Sequence, residues 1–309
     1  MNITILSVNI SEKKGTVKKP VEEITLNHLG VMEDAHAGHW HRQVSLLGKE
    51  SIDRFSALAG RHISFGEFAE NLTTEGMELV KTSPMDRFAG EHVELEVTQI
   101  GKKCHGTSCA IFREVGNCVM PKEGIFARVI RQGSLKPGDV LTYKPRVLRF
   151  HVVTLSDRAS KGHYEDRSGP RIVQLLEEHF TPLPRNIEVQ HSIIPDDASS
   201  LSVLLEKSTY EEHDVIITTG GTGIGPRDIT IETVKPMLDK EIPGIMEMIR
   251  VKYGSEKPNA LLSRGVAGLI GDTLIYTLPG SVKAVNEYMH EILKSLEHLI
   301  YMRQGLDLH

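Results

Sequence analysis

The sequence predicts two domains in one chain: a mostly-β domain over residues 1–146 and an α/β domain with a mostly parallel sheet over residues 147–309. Three observations predict this. The length of 309 residues suits two ordinary domains better than one. The first ~145 residues carry period-two alternation and short apolar runs punctuated by glycine. Beyond Lys144-Pro145-Arg146 the pattern changes to strand, loop and helix, repeated.

In the first half, HVELEVTQ (92–99) sets Val93, Leu95 and Val97 on one face and Glu94, Glu96 and Thr98 on the other, a half-buried strand. VSLL (44–47) and DVLTYK (139–144) read as further strands. Lys49 to Leu58 and Gly124 to Arg131 read as helices. A β-barrel or a compact β-sandwich fits this pattern. In the second half, LRFHVVTLS (148–156) is a strand. SGPRIVQLLEEHF (168–180) is a helix with Ile172, Leu175, Leu176 and Phe180 on one face. VQHSII reads as a strand, and DDASSLSVLLEK (196–207) as a helix opened by cap residues. VIITT (215–219) and LIYTL (274–278) are strands. A long helix follows the latter, with Val282, Val285, Met289, Leu293, Leu296 and Ile300 at spacings of three and four. Alternating strands and helices imply a parallel sheet covered on both faces, hence three layers.

Composition narrows the function classes. Net charge is −5 with the signs interspersed, and aromatics are 5%. Neither suits a nucleic-acid partner, which asks for a basic face and stacking platforms. No apolar run nears the ~18 residues of a membrane span, and the first residues lack the pattern of a signal peptide. Three cysteines make a disulfide framework unexpected, and a reducing cytoplasm is the expected compartment.

In open parallel sheets ligands bind beyond the carboxyl ends of the strands. Three such ends stand out: Ser156-Asp157-Arg158, Thr218 to Asp228, and Leu278-Pro279-Gly280-Ser281. The middle one, TTGGTGIGPRD, places Gly220, Gly221, Gly223 and Gly225 directly after a buried strand. Glycines let a backbone approach a phosphate, and a following helix N-terminus adds positive potential. The alternative is a tight β-α turn with no ligand. The spacing is neither that of a P-loop nor the dinucleotide fingerprint, which disfavours hydride transfer. Asp228 beside an anion site makes sense if a magnesium ion lies between carboxylate and phosphate; helix capping is the competing role, and the expected one for Asp197.

The segments VVTLSDRASKGHYEDRSGP, IIPDD, TTGGTGIGPRDITIE, EIPGIMEMIR, ALLSRGVAG and LPGSVKAV, in this order, resemble the molybdopterin adenylyltransferase family (MogA/MoaB-like, with the G domain of gephyrin) over residues 148–309. The resemblance implies ATP and molybdopterin as substrates, Mg²⁺ as cofactor, and AMP transfer onto the pterin phosphate. By motif it implies a phosphate-holding loop of Thr218, Thr219, Gly220, Gly221, Thr222 and Gly223. It also implies ligand contacts from Ser156, Gly280 and Ser281, and functional aspartates at Asp196 and Asp228. Some family members bind the pterin well and adenylylate poorly, so a non-catalytic carrier is the alternative. Trimers, or pairs of trimers, are the implied assembly, and EIPGIMEMIRVKYG (241–254) carries more apolar surface than one narrow face buries.

EDAHAGHWHRQVSLL, FGEFAENLTTEG, VTQIGKKCHGTSC and NCVMPKEGIFARVI resemble a MOSC domain over residues 1–145. The resemblance implies a β-barrel that binds molybdenum cofactor or a related species and uses a cysteine as sulfur carrier or metal ligand; other molybdenum cofactor enzymes are the candidate partners, and the sequence does not tell which of them. Cys104 best matches that position; Cys109 and Cys118 are neighbours. Lys102, Lys103 and His105 would lower its thiol pKa. Zinc ligation by Cys104, His105, Cys109 and Cys118 lacks the usual spacing, and His36, His39 and His41 have no converging geometry. Arg42 suits an anion contact. A sulfurtransferase is disfavoured because no pyridoxal-phosphate segment is recognised.

Overall fold

The computed structural model describes residues 1–103 and 118–306. The chain divides into two compact units, Met1–Arg146 together with Leu306, and Val147–Gly305. In the first, the strands are β1 (Asn2–Ile10), β2 (Lys19–Val21), β3 (Ile24–Asn27), β4 (Gly30–Val31), β5 (Val44–Gly48), β6 (Leu72–Glu75), β7 (Arg87–Ala89), β8 (Glu94–Ile100), β9 (Ile125–Arg131), β10 (Gly133–Leu135) and β11 (Val140–Lys144). Helices α1 (Lys49–Ala59) and α2 (Met120–Glu123) lie between them.

Seven of these strands run in the order β11-β7-β8-β9-β5-β6-β1, and β1 pairs back onto β11 with Asn2 opposite Thr142. The sheet is therefore a closed barrel, which leaves no strand edge unpaired around the ring. Ile3, Leu46, Leu72, Phe88, Leu95 and Ile125 fill its interior. β2 extends β1, and β10, β3 and β4 form a small second sheet.

Two expectations need correcting here. Residues 125–131 form strand β9 and not a helix. Ile125, Phe126, Val129 and Ile130 are β-branched or aromatic, and β8 and β5 pair with the segment on its two sides. The polar face of β8 is also less exposed than alternation suggests. Glu96 is buried between Arg87 and Arg128, and the Thr98 hydroxyl donates to the carbonyls of His41 and Phe126.

The second unit holds β12 (Val147–Leu155), α3 (Asp157–Ser160), α4 (Ser168–Phe180), β13 (Asn186–Ile194), α5 (Ala198–Tyr210), β14 (Val215–Thr219), α6 (Thr230–Val234), β15 (Lys240–Glu241), α7 (Pro243–Gly254), β16 (Ala267–Ile270), β17 (Thr273–Leu278) and α8 (Val282–Arg303). The sheet order is β13-β12-β14-β17-β16-β15; the first four strands are mutually parallel, and β16 is antiparallel to both its neighbours. Side chains alternate along β12. Phe150 meets Phe180 of α4 with ring centroids 5.6 Å apart, whereas Val153 and Leu155 pack with Leu201 and Leu205 of α5. The chain leaves β12 for β13 on one side and reaches β14 on the other. The sheet's topological switch thus falls between β12 and β14. No helix among the described residues is long and apolar enough to cross a membrane.

The barrel also buries a carboxyl group. Glu70 is fully buried; its Oε1 accepts from the Gly66 N–H at 2.6 Å and the Thr73 hydroxyl at 3.0 Å, and Oε2 has no partner among the described residues. Burial pushes its pKa up to about 7, against the pull of those hydrogen bonds. The folded state therefore binds the proton more tightly than the unfolded chain. The linked stability is complete below the unfolded value and is lost as pH rises through about 7. A Glu70→Gln variant is expected to lose this slope. Urea midpoints followed by Trp40 emission at about pH 5 and pH 8 should converge, removing a difference on the order of 3 kcal/mol. An unchanged slope in the variant would assign the pH dependence to other groups.

Candidate functional site

β12, β14 and β17 end in register: Thr154 lies beside Thr219, and Thr219 beside Leu278. Their loops therefore emerge together at the carboxyl edge. The middle loop is fixed by two glycines with positive φ, Gly220 at 106° and Gly221 at 63°. A Cβ on Gly220 would stand 2.4 Å from the Leu155 carbonyl oxygen, and one on Gly221 2.4 Å from Thr230 Oγ1. No larger residue fits either position without displacing backbone or helix. Hydrogen bonds close the arrangement. Thr230 Oγ1 donates to the Gly220 carbonyl at 2.8 Å, the Gly220 N–H to the Leu278 carbonyl at 3.0 Å, and Thr219 Oγ1 to the Pro279 carbonyl at 3.0 Å.

The other loop residues divide by role. Thr218 is buried with its Oγ1 unpartnered among the described residues. Thr222 is buried and accepts the Arg264 N–H at 3.1 Å, and the Arg264 side chain binds the Gly223 carbonyl and Glu232. Ser156 caps α3 by accepting from the Ala159 N–H, and Ser281 caps α8 by accepting from the Ala284 N–H. Gly280 lies against Gly220.

The carboxylates answer why glycines also stand at 223 and 225. Asp228 Oδ2 accepts the Gly225 N–H at 2.7 Å, and a Cβ on Gly223 or Gly225 would come within 2.7 or 2.9 Å of that oxygen. The side chain thus lies folded into the loop. It is not a helix cap, because Ile229 occupies the N-cap of α6 without a side-chain bond. Asp197 is the cap of α5, accepting from Ser200 N–H at 2.7 Å, and these bonds hold its carboxyl below the usual range. Asp196 instead turns to the β12 loop. Its Oδ2 accepts the Asp157 N–H at 3.0 Å, while Asp157 Oδ1 accepts the Asp196 N–H at 3.2 Å. Arg227 pairs with Asp157 at 2.8 Å.

Two cavities meet at this edge. A polar one of 350 Å³ is lined by Ser156, Asp157, Asp196, Arg227 and Asp228 among others. A larger one of 570 Å³ is lined by the 220–223 backbone, Leu262, Tyr288, Lys257 and Lys283 along with the 279–281 loop. Gly221 and Asp228 line both. The residues present fit a magnesium ion, which commonly takes one or two protein carboxylates and completes its shell with water and phosphate oxygens. Asp196 and Asp228 face one cavity. Among the described residues no three His, Cys, Asp or Glu side chains form a ready metal cage, His36, His39 and His41 included.

Sequence reasoning missed the roles of Asp157, Arg264, Lys257, Lys283 and Tyr288. Asp157 had a visible signal, since it follows Ser156 at a strand end. The others reach the site from α7-adjacent and α8 segments, which no local pattern reveals. Cys104, His105 and Cys109 lie outside the described residues. Cys118 is half-buried and packs against the cluster of Leu47, Ile52 and Phe68.

Comparison with known families agrees with this geometry. Residues 151–298 match the model of a probable molybdopterin binding domain, and residues 33–142 match a MOSC domain. The chain is 40% identical over 162 residues to molybdenum cofactor biosynthesis protein B of Staphylococcus aureus, covering 50% of this chain and 92% of that protein. It is 38% identical over 164 residues to molybdopterin adenylyltransferase of Pyrococcus furiosus, covering 50% and 91%. Gephyrin of Dictyostelium discoideum is 37% identical over 155 residues, a match spanning 48% of this chain and only 21% of gephyrin. With the glycine loop, the paired aspartates and the strand-end edge all in the matched segment, the chain belongs to the MogA/MoaB-like molybdopterin-binding family of molybdenum cofactor biosynthesis, with a MOSC domain preceding that domain.

Proposed function

We propose that residues 147–309 adenylylate molybdopterin and that residues 1–146 bind or pass on the molybdenum cofactor or its sulfur. One observation carries the first part: two cavities of different character share Gly221 and Asp228. Such a site holds two phosphate-bearing substrates with their phosphates adjacent. In this reading the 570 Å³ cavity takes a heterocycle against Leu262 and Tyr288, and the polar 350 Å³ cavity takes the ATP phosphates. An oxygen of the pterin phosphate attacks the α-phosphorus of ATP. The bond from that phosphorus to the β-phosphate oxygen breaks, and pyrophosphate leaves.

Two anions repel, so the protein's task is positioning and charge balance. The 220–223 backbone, packed at Gly220 and Gly221 too tightly for a side chain, fixes one phosphate. Lys257, Lys283 and Arg227 add cationic donors. Asp196 and Asp228 would hold Mg²⁺, which when bound neutralises phosphate charge. Ser156 and Ser281, as helix caps, keep two N-termini aimed at the edge. Helices on both faces of the sheet support the three-layer reading. The alternative function is a carrier that binds the pterin without turning it over; the retained Asp196 and Asp228 favour the enzyme. Incubation of purified protein with molybdopterin, ATP and Mg²⁺ decides between them: adenylylated pterin plus pyrophosphate supports the enzyme, and bound, unmodified pterin supports the carrier.

The Asp228→Asn variant keeps an acceptor for the Gly225 N–H, so it is expected to fold. Its turnover should fall at least about 100-fold while pterin affinity stays within about threefold. Wild-type turnover would remove Asp228 from the chemistry. In the first unit, Cys104→Ser is expected to abolish sulfur or molybdenum loading, and Cys118→Ser to leave it intact, because Cys118 packs against an apolar cluster. Loading that survives the Cys104 change would reject that cysteine. Assembly is expected to be trimeric or hexameric through the second unit. In α7, Met246 and Ile249 are buried, whereas Met248 and Val251 stay exposed. Light scattering of the full chain that gives a monomer mass at micromolar concentration would refute this.

A further inference from the structure

Three cations already serve the proposed phosphates, and none of them is free on the departing side. Lys257 and Lys283 line the 570 Å³ cavity, and Arg227, in the polar cavity, is paired with Asp157 at 2.8 Å. Arg158 is different. It lines the polar 350 Å³ cavity at the end of β12 and does not line the larger one. Local sequence sets its surroundings. α3 ends at Ser160, and the chain turns back at Gly162, whose φ of 71° favours glycine. The Gly162 N–H donates to the Ala159 carbonyl at 3.0 Å, and the His163 N–H to the Arg158 carbonyl at 2.9 Å. That return brings the half-exposed Tyr164 ring to 5.3 Å from Arg158 Cζ.

Among the described residues Arg158 pairs with no carboxylate, although Asp157, Asp196 and Asp228 line the same cavity. A cation over a ring face is oriented by the ring and keeps its N–H donors. In the adenylyl transfer proposed above, the attacking and leaving oxygens lie on opposite sides of the α-phosphorus. The pterin phosphate attacks from the larger cavity, and Gly221 and Asp228 mark where the two cavities meet. Pyrophosphate therefore departs into the polar cavity. As the bond from the α-phosphorus to the bridging oxygen breaks, its electron pair stays on the β-phosphate. Negative charge then grows beside three carboxylates, and a guanidinium fork can meet it with two parallel hydrogen bonds.

We infer that Arg158 is the leaving-group clamp. Its guanidinium binds the β- and γ-phosphates of ATP and binds them more tightly as pyrophosphate forms. Tyr164 keeps the side chain oriented before they arrive. The inference rests on the adenylyl-transfer reading of residues 147–309 and adds the residue that serves the departing group.

AMP lacks the two phosphates that Arg158 would hold, so comparing it with ATP and pyrophosphate isolates the contact. The full chain is titrated calorimetrically with each of the three in the presence of Mg²⁺. Arg158→Ala is expected to raise the Kd of ATP and of pyrophosphate about tenfold, and that of AMP less than about twofold. Arg158→Lys should fall between, because lysine keeps the charge and lacks the fork. Arg158 is exposed, so either change leaves the core intact. Turnover is then compared across ATP analogues bridged between the β- and γ-phosphorus by CH₂, CHF or CF₂, which form progressively better leaving groups. The rate should depend on the bridge more steeply in Arg158→Ala than in the wild type. Equal loss of affinity for AMP and ATP with an unchanged bridge dependence gives Arg158 a structural role and overturns the inference, as does no loss at all. A wild-type chain that shows the Arg158-dependent affinity for pyrophosphate but makes no adenylylated pterin overturns adenylyl transfer alone and keeps Arg158 as the pyrophosphate-binding residue.

Discussion

The close approach of the 220–221 backbone to its surroundings is the constraint on which the candidate site depends. Gly220 lies over the Leu155 carbonyl, Gly221 lies over Thr230, and Gly280 lies against Gly220. Strand ends from β12, β14 and β17 are drawn into one edge because side chains are absent where the three loops touch. Thr230 then ties the loop to the first residue of α6 through the Gly220 carbonyl. The 220–223 segment lines the larger cavity, and its shape is over-determined by contacts outside the ligand space.

The same constraint orders the charges. Gly223 and Gly225 leave room for Asp228 to fold back onto the Gly225 N–H, which fixes its carboxylate in the loop. Across the cavity Asp157 and Asp196 exchange backbone hydrogen bonds, so the β12 and β13 loops hold each other. Arg227 closes the ring by pairing with Asp157. Three carboxylates, Asp157, Asp196 and Asp228, line the polar cavity together with Arg158 and Arg227. That arrangement suits a metal–phosphate complex better than a free anion, which the carboxylates would repel.

Much of this was legible in the sequence for local reasons. Positive-φ turns demand glycine, so the loop announced itself, and Asp196 and Asp228 sit at strand ends or beside that loop. Helix caps at Ser156, Asp197 and Ser281 follow from residue type and position. What was hidden is non-local. Glu96 reads as solvent-facing until Arg87 and Arg128 arrive from neighbouring strands. Residues 125–131 fit a helical pattern until two ladders claim their backbone. Closure of β1 on β11, about 140 residues apart, and the arrival of Arg264 at Gly223 have no local signature.

The central claim is that two substrates occupy adjacent cavities that share Gly221 and Asp228. Calorimetric titration of AMP into protein already saturated with molybdopterin tests it most directly. The account predicts that AMP still binds, one per chain, and that adenylylated molybdopterin then displaces both ligands together. Mutual exclusion of AMP and molybdopterin, with a single shared stoichiometric site, would contradict it.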